Sequence, residues 1–409
     1  MSIAVVDGHS TGRALVAALR SMGASCLHVA STPDMSTYFT RGFRADDYDA
    51  LLPGEGDPAA LAAELTRRGV RRVVAGTESG VLLADTLTHL MGLPGNRFAT
   101  IAARRDKVAM GRTAAGAGVA VPLAAAFTDP DEGADWCART GLTEAVVKPP
   151  SSAGTDNVRF CRTPQEVRAA CATVLTTPNL YGSPNTVALV QERLRGVEFY
   201  ANTVSYDGVH RLAELWRYTK RDGDRPVYDY EEPVPVGSEE GAALRAFVFS
   251  VLDALGVATG AAHTEVMATA RGPVLIESGA RLGGGTTPAV VEKYSGVSQT
   301  GLLAASLLDP AAVAAFDDTA VTWTGALRNT ALINSVPGRV RSTRWETRIT
   351  DLPTVVSLTH GVREGQYLGA TTDLIDSPGH VYLAAEDRAD IQRDHRVLRA
   401  LESEGLYTA

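Results

Sequence analysis

Residues 261–285, AAHTEVMATARGPVLIESGARLGGG, decide the fold class that this sequence predicts. The extended runs Ala261–Thr269 and Pro273–Gly279 flank a short glycine-containing turn, which is the pattern of an antiparallel hairpin. In that register Glu265 lies opposite Glu277, with the two Cβ atoms roughly 5 Å apart. Facing carboxylates repel unless a cation lies between them, and carboxylate oxygens suit Mg²⁺, which leaves its other positions to phosphate and water.

The residues that follow the hairpin suit an anion held beside this cation. Arg281 continues on the same face if the strand stays extended, and the glycine run Gly283–Gly285 lets backbone amides approach an anion. A surface hairpin with two solvated glutamates is the alternative, because acidic pairs across a ladder also occur by accident. The spacing alone leaves both interpretations open.

A second segment, VVKPPSSAGT at 146–155, has the features of a phosphate-binding loop. An apolar strand delivers Lys148 and then small residues, whose backbone N–H groups and hydroxyls can surround phosphates. The lysine would act on them as a point charge. An ordinary turn with an exposed lysine fits the same pattern.

A third segment, QERLRGVE at 191–198, follows the strand Val187–Val190. Such a connector could offer backbone groups to an adenine edge, and Glu198 could accept hydrogen bonds from ribose hydroxyls. A surface connector is again the alternative. Downstream, Asp207-Gly208 between the extended runs Phe199–Tyr206 and Val209–Trp216 predicts a type I′ hairpin turn.

The N-terminal residues predict a parallel sheet. The strands Ile3–Val6 and Cys26–Val29 flank a helix at Arg13–Met22, which is a βαβ arrangement. The chain has neither GxGxxG after the first strand nor GxxxxGK[ST] anywhere, so a dinucleotide fold and a P-loop lose support. A single helix over 100–117 is expected to carry Lys107.

The bulk composition excludes several classes of protein. The 409 residues suffice for two or three packed units, and 45% hydrophobic with 21% charged residues is ordinary for a globular protein. The net charge of −8 argues against a broad nucleic-acid surface, and no apolar run is long enough for a bilayer. The first residues lack signal-peptide features, and the four cysteines show no CxxC pairing. We therefore expect a cytoplasmic protein without nucleic-acid or membrane partners.

The order of these segments resembles the ATP-grasp superfamily, whose members clamp ATP between two α+β subdomains. Lys107, Lys148 with its loop, the 191–198 connector and the Glu265/Glu277/Arg281 group carry the resemblance. A closer likeness, to L-amino acid ligases (dipeptide synthetases) and related enzymes of peptide natural products, is carried by four stretches. These are VVAGTESGVLLADTLTHLMGLPGN (73–96), VVKPPSSAGTDNV (146–158), LWRYTKRDGDRPVYDY (215–230), and HTEV with IESGARLGGG.

The resemblance implies an α/β and α+β architecture. An N-terminal parallel-sheet βαβ domain at 1–95 precedes two ATP-clamping subdomains at 96–190 and 191–325, and a C-terminal α+β extension occupies 326–409.

It also implies a set of nucleotide-binding residues. These are Lys107, Lys148, Ser151, Ser152, Ala153, Gly154, Thr155, Gln191, Glu192, Leu194 and Glu198. In this assignment the two lysines contact phosphates and the small-residue loop closes over them. Glu192 and Leu194 present backbone groups to adenine, and Glu198 holds the ribose.

The metal and substrate groups follow from the same resemblance. Glu265 and Glu277 hold Mg²⁺, with Mn²⁺ as a substitute, and Arg281 acts with Lys148 on the transferring phosphate. The substrate-binding residues are Glu78, His263, Arg281, Gly283 and Gly284. For His263, packing beside the site is an equally good interpretation.

One residue departs from the wider pattern. Many ATP-grasp enzymes carry Glu-x-Asn-x-Arg, but here Gly279 stands at the asparagine position. The amino acid ligases share this absence, so the departure favours that subgroup. It leaves open how a second Mg²⁺ is completed, with water as one source.

The implied function is a carboxylate–amine ligase that forms an acyl-phosphate from ATP and then an amide. The expected partners are small molecules, an amino acid or other carboxylate plus an amine, and a homodimer is left open. The segment Lys220–Pro235 is either a cover for the site or a surface loop. Two alternatives are a ligase or carboxylase acting on a non-amino-acid carboxylate, and an ATP-binding protein without ligase activity.

Overall fold

A four-stranded parallel sheet begins the chain. In this computed structural model, residues 1–32, 35, 40–152, 154–221 and 227–408 are described. The sheet has the order β3-β2-β1-β4 and confirms the predicted βαβ start. Its elements are β1 Ser2–Val6, α1 Thr11–Ser21, β2 Ser25–Ala30, β3 Ala50–Pro53, α2 Pro58–Arg67, β4 Val70–Ala75 and α3 Val81–Leu90, with short 3₁₀ helices at Ala45–Asp47 and Glu78–Gly80.

A second, antiparallel sheet follows in the order β5-β8-β6-β7. Its elements are α4 Lys107–Gly116, β5 Ala124–Phe127, α5 Pro130–Thr140, β6 Ala145–Lys148, β7 Arg159–Cys161, α6 Pro164–Thr176 and β8 Ala188–Glu192, preceded by a 3₁₀ helix at Phe98–Arg104. The single helix predicted over 100–117 is wrong. Asp106 is extended and its carboxylate accepts a hydrogen bond from Ala109 N at 2.8 Å, so it caps a new helix that begins at Lys107.

The largest sheet has eight strands in the order β13-β12-β9-β10-β11-β14-β18-β16, and β15 pairs separately with β17. The elements of this part are β9 Val197–Tyr206, β10 Val209–Arg221, β11 Val227–Pro233, α7 Glu239–Leu255, β12 Gly260–Thr269, β13 Gly272–Gly279, α8 Pro288–Ser295, α9 Gln299–Leu308, α10 Ala311–Ala315, a 3₁₀ helix Asp318–Ala320, β14 Ala326–Ala331, β15 Gly338–Arg339, α11 Arg344–Thr350, β16 Val355–His360, β17 Tyr367–Leu368, β18 Gly379–Ala385 and α12 Arg388–Ser403.

The alternation of side chains along these strands separates a core face from a polar face. On β9, Phe199 and Ala201 pack in a hydrophobic cluster with residues of α7 such as Leu244 and Val248. Tyr200, between them in the chain, lies on the opposite face, where its ring stacks with that of Trp216. The helix therefore covers one side of the sheet and leaves the other side for polar groups.

The two register predictions are confirmed. Glu265 pairs with Glu277 across β12 and β13, with an irregularity after Glu265. Asp207 and Gly208 both have positive φ, 50° and 77°, as a type I′ turn requires.

Apart from the small two-stranded sheet of β15 and β17, the predicted extension at 326–409 does not form a separate sheet. Its strands β14, β16 and β18 continue the sheet built by 191–325, because β14 pairs with β11. The boundaries between the four segments therefore stay predictions. In the part of the chain that the structure describes, no helix has the length and apolar character needed to cross a membrane. The four cysteines are buried free thiols.

Candidate active site

A cavity of about 880 Å³ lies on the polar face of the large sheet. Its walls come from every part of the fold. They include Glu78 from the N-terminal unit, Lys107 from α4, Lys148 from β6, Glu265, Glu277 and Arg281 from the hairpin region, and Asn329 and His380 from the C-terminal strands. The structure thus brings the predicted charged residues together around one cavity.

The facing glutamates form the acidic part of this cavity. Lys107 Nζ lies 3.1 Å from Glu277 Oε2, and the Tyr218 hydroxyl donates to Glu265 Oε1 at 3.3 Å. His263 Nε2 lies 3.7 Å from the same Glu265 oxygen. Burial alone would raise the pKa of Glu265, but His263 and nearby cations outweigh burial and lower the pKa. The carboxylate is therefore held ionised, which a metal ligand needs.

The donor chemistry of this pair fits Mg²⁺. Two carboxylates meet across one ladder and the cavity beside them is open to a phosphate-bearing ligand, which is the set of oxygen ligands that this ion takes. Lys107 now neutralises part of the charge on Glu277. The assignment of Glu265 and Glu277 as metal ligands remains a prediction.

Two lysines stand next to the acidic pair. Lys148, at the end of β6, is 5% exposed, and burial lowers its pKa to about 8 although Glu277 acts in the opposite direction. Lys107 Nζ also donates to Ser152 O at 3.0 Å. Burial removes water from around the Lys148 ammonium, and a phosphate bound beside it would supply the compensating negative charge. The position therefore suits a nucleotide.

The predicted phosphate loop is folded by its own polar groups. Ser152 Oγ donates to Asp156 Oδ2 at 2.6 Å, and Asn179 Nδ2 donates to Ser151 O at 2.9 Å. Gly154 and Thr155 have positive φ, 64° and 65°. Ser152, Gly154 and Thr155 line the cavity, whereas Ser151 does not belong to its lining and Ala153 lies outside the described residues.

Some residues of the connector after β8 line the cavity, and others do not. Gln191 and Leu194 line the cavity. Glu192 does not, because its carboxylate accepts from Leu123 N at 2.9 Å and pairs with Arg271. Its backbone N–H donates to Leu123 O at 2.8 Å and is therefore not available to a ligand.

Glu198 lines the cavity and is paired with a lysine. Lys220 Nζ lies 2.5 Å from Glu198 Oε1. Burial raises the pKa of Glu198 even though Lys220 opposes that shift. A ribose hydroxyl would have to share this carboxylate with Lys220, and the ribose role stays a prediction.

Arg281 is fixed by the N-terminal unit. Its Nε donates to Glu78 Oε2 at 2.8 Å, and Arg105 Nη1 lies 3.7 Å from the other Glu78 oxygen. A Cβ at Gly279 would lie 2.6 Å from Glu78 Oε2. Gly279 therefore allows the Glu78 carboxylate to approach Arg281, and this is a physical reason for the missing asparagine.

We expect Gly279→Asn, which restores the wider ATP-grasp pattern, to lower kcat rather than raise it. The new side chain must displace Glu78 and with it Arg281, and a misplacement of this size costs about 10-fold or more in rate. Gly116→Asn is the matched control, because a Cβ there meets open space. Steady-state phosphate release by the two variants checks the prediction, and a fully active Gly279→Asn enzyme would contradict it.

His263 belongs to a buried network behind the cavity. Its Nδ1 lies 2.7 Å from Asn202 Oδ1, and Asn202 Nδ2 donates to Glu214 at 3.0 Å. Gln299 N donates to Glu214 at 2.7 Å, and Gln299 Oε1 accepts from Gly283 N at 2.9 Å. The two interpretations of His263, packing beside the site and lining it, are therefore compatible, since the side chain belongs to a buried network and also lines the cavity.

The glycine run Gly283–Gly285 offers fewer free backbone amides to an anion than the sequence predicts. The Gly283 amide is used by Gln299, and a Cβ at Gly283 would lie 2.7 Å from Asn202 Oδ1. Gly283 therefore serves close packing, and its predicted amide contact with an anion is not supported. Gly284 lines the cavity with open space around it.

Sequence reasoning missed several cavity residues. Tyr218, Lys220, Tyr228 and Glu231 come from the paired strands β10 and β11. Tyr218, Lys220 and Tyr228 lie in the stretch LWRYTKRDGDRPVYDY, and Glu231 follows it directly; the sequence predicted the segment Lys220–Pro235 only as a cover or a surface loop. The predicted cover Lys220–Pro235 consists largely of these two strands, and residues 222–226 lie outside the described residues.

Comparisons with known proteins identify relatives of the whole chain. No protein-family model matches the chain. Dapdiamide A synthase of Enterobacter agglomerans is 32% identical over 412 residues, which cover 98% of this chain and 96% of that protein.

Two solved structures share the fold. L-amino acid ligase from Bacillus licheniformis superposes with a TM-score of 0.77 at 17% identity, covering 98% of this chain and 97% of that one. The biotin carboxylase domain of 2-oxoglutarate carboxylase from Hydrogenobacter thermophilus, determined with MgADP and bicarbonate, gives 0.64 at 12% identity, covering 94% and 86%. These likenesses confirm the ATP-grasp fold. The identity with dapdiamide A synthase extends over nearly the whole of both chains, and the protein therefore belongs to the ATP-grasp ligases of the dapdiamide A synthase family.

Proposed function

We propose that this ATP-dependent ligase joins the carboxylate of one amino acid, or amino-acid-like molecule, to the amine of another. The observation that carries the proposal is the convergence of Glu265 and Glu277 with Lys107, Lys148 and Arg281 around one cavity. Phosphoryl transfer needs positioning and charge neutralisation more than covalent chemistry, and these five groups can supply both.

The first step is transfer of the γ-phosphate of ATP to the substrate carboxylate. Lys107 and Lys148 neutralise the phosphate oxygens, and Arg281, held by Glu78, faces the transferring group. Glu265 and Glu277 would hold Mg²⁺, which supplies further charge neutralisation on the phosphates. The products of this step are ADP and an acyl-phosphate.

The second step is attack by an amine on the acyl carbon, with loss of phosphate and formation of an amide. The acyl-phosphate must be kept from water. The phosphate loop supports such closure, because Gly154 and Thr155 approach the C-terminal residues Leu374 and Ile375. Leu374 N lies 3.5 Å from Thr155 Oγ1, and a Cβ at Gly154 would lie 3.6 Å from Ile375.

Three finer points belong to the same proposal. Mn²⁺ is expected to replace Mg²⁺, since both ions prefer oxygen ligands. A cytoplasmic location agrees with four buried thiols and no disulfide in the described chain. A homodimer is compatible with the sequence and is tested by the mass in solution.

Phosphate release from ATP and Mg²⁺ tests the proposed function. Amino acids are supplied singly and in pairs, with bicarbonate as a separate arm, and products are weighed by mass spectrometry. We expect pairs to stimulate release and to give a product with the summed mass less one water. Stimulation by bicarbonate but by no amino acid would favour a carboxylase, and release without any substrate would contradict a ligase.

A further inference from the structure

The cavity has a second acidic position away from the metal pair. Glu231 lies on β11 and lines the cavity, opposite Tyr218 on one side and Asn329 on the other in the strand ladders. Asn329 Nδ2 donates to Glu231 Oε1 at 2.5 Å and to Gly285 O at 3.1 Å. Both amide hydrogens of Asn329 are thereby used, and Glu231 is placed beside the glycine run.

Glu231 differs from the other cavity glutamates in its partners. Glu78 is paired with Arg281, Glu198 with Lys220, and Glu277 with Lys107, while Glu265 lies near His263. Glu231 makes no ion pair among the residues that the structure describes. It is therefore a cavity carboxylate that the protein itself leaves without a cation.

Glu231 is hydrogen-bonded by the uncharged Asn329, and the charged groups that act on it, Glu214 and Glu265, are also negative. Burial lowers the pKa of His380 to about 4, so this imidazole is neutral, and burial also raises the pKa of the Tyr200 and Tyr382 hydroxyls well above their ordinary value. Burial raises the pKa of Glu231 to about 7, although Asn329 and Tyr200 act against that shift. A buried carboxylate in such surroundings is stabilised by an incoming cation.

Glu231 lies one aromatic side chain away from the glutamate pair. Tyr218 is the cross-strand neighbour of Glu231, and its hydroxyl reaches Glu265 Oε1 at 3.3 Å. The two acidic positions are thus separated by a single aromatic side chain. A group bound at Glu231 lies within the length of a small substrate from a phosphate bound at the glutamate pair.

We infer that Glu231, oriented by Asn329, binds the ammonium group of the amine substrate and accepts its proton. The inference deepens the proposed function and rests on it. The ammonium N–H bond breaks with its electron pair left on nitrogen, and Glu231 becomes a carboxylic acid. The free amine then forms the C–N bond as the acyl C–O bond breaks, and the second amine proton leaves with the phosphate as hydrogen phosphate.

A comparison of two nucleophiles distinguishes a role of Glu231 in binding the amine from a role in phosphoryl transfer. Hydroxylamine is uncharged at neutral pH and traps an acyl-phosphate as a hydroxamate without an ammonium subsite. The amino acid that serves as the best amine in the parent enzyme needs that subsite. We compare both rates in Glu231→Gln, which keeps the shape of the side chain, in Glu231→Asp, which keeps the charge, and in the exposed control Glu239→Gln.

Glu231→Gln is expected to lose about 10- to 100-fold in amide formation, the range for a lost charge-assisted hydrogen bond. Its hydroxamate formation should stay within about threefold of the parent, and Glu231→Asp should recover part of the amide rate. Equal losses with both nucleophiles, or no loss with either, would overturn the inference. A parent enzyme that forms no hydroxamate with any carboxylate would instead overturn the proposed function.

A folding defect does not leave the inference untested. If Glu231→Gln unfolds below the assay temperature, Asn329→Ala carries the same comparison, because it removes the group that orients Glu231. The expected result is again a selective loss of amide formation, smaller than for the glutamate variant. Unchanged amide formation in Asn329→Ala would overturn the inference.

Discussion

Glu277→Gln is expected to reduce substrate-dependent phosphate release by on the order of 100- to 1,000-fold. The substitution removes one of two facing carboxylates, and the remaining Glu265 then faces a neutral amide across the ladder instead of a second negative charge. It also removes the partner of Lys107, whose Nζ lies 3.1 Å from Glu277. Both losses fall on the charges that stabilise the transferring phosphate.

The fold should survive this change. Facing glutamates repel each other, and glutamine has nearly the same shape, so we expect a Tm within about 4 °C of the parent. Glu239→Gln is the matched control, because Glu239 is exposed on the first turn of α7. Near-normal phosphate release by Glu277→Gln in saturating Mg²⁺ would contradict the assignment of the metal pair.

Arg281→Met is expected to lower kcat by on the order of 100-fold or more while the KM for ATP changes little. The guanidinium is placed by Glu78 at 2.8 Å and faces the cavity, so its contribution is greatest where charge develops on the transferring phosphate. Methionine keeps most of the volume and none of the charge. The steady-state kinetics of ATP consumption measure this separation of kcat from KM.

Two comparisons sharpen the arginine prediction. Arg339→Met at an exposed position controls for loss of a surface charge and should leave the rate unchanged. Glu78→Gln should reproduce part of the defect, because it weakens the contact that orients Arg281. A raised KM for ATP with an unchanged kcat would show that Arg281 binds the nucleotide and does not act on the transfer.

The sequence predicted those parts of the site that depend on local pattern. The pairing of Glu265 with Glu277 follows from the alternation of two short strands around a glycine turn, and the turn at Asp207-Gly208 follows from its dipeptide. The convergence of the lysines and Arg281 was predicted from the resemblance to ATP-grasp enzymes that the order of the segments carries. The structure agrees with that order by placing them around one cavity.

Other features depend on contacts between distant segments, which a single sequence does not contain. Glu78 and Arg281 are 203 positions apart in the chain, so the steric reason for Gly279 appeared only in the fold. The use of the Gly283 amide by Gln299 is likewise a tertiary contact. Glu231 was missed because its place in the cavity depends on the pairing of β11 with β10 and β14.

The transfer of oxygen-18 from a labelled carboxylate substrate to the released phosphate tests the central claim most directly. An acyl-phosphate formed at Glu265, Glu277 and Arg281 carries one carboxylate oxygen into the phosphate when the amine displaces it. We predict one labelled oxygen in the phosphate for each amide formed, measured by mass spectrometry. Amide formation with unlabelled phosphate would contradict the acyl-phosphate route and with it the assigned roles of these residues.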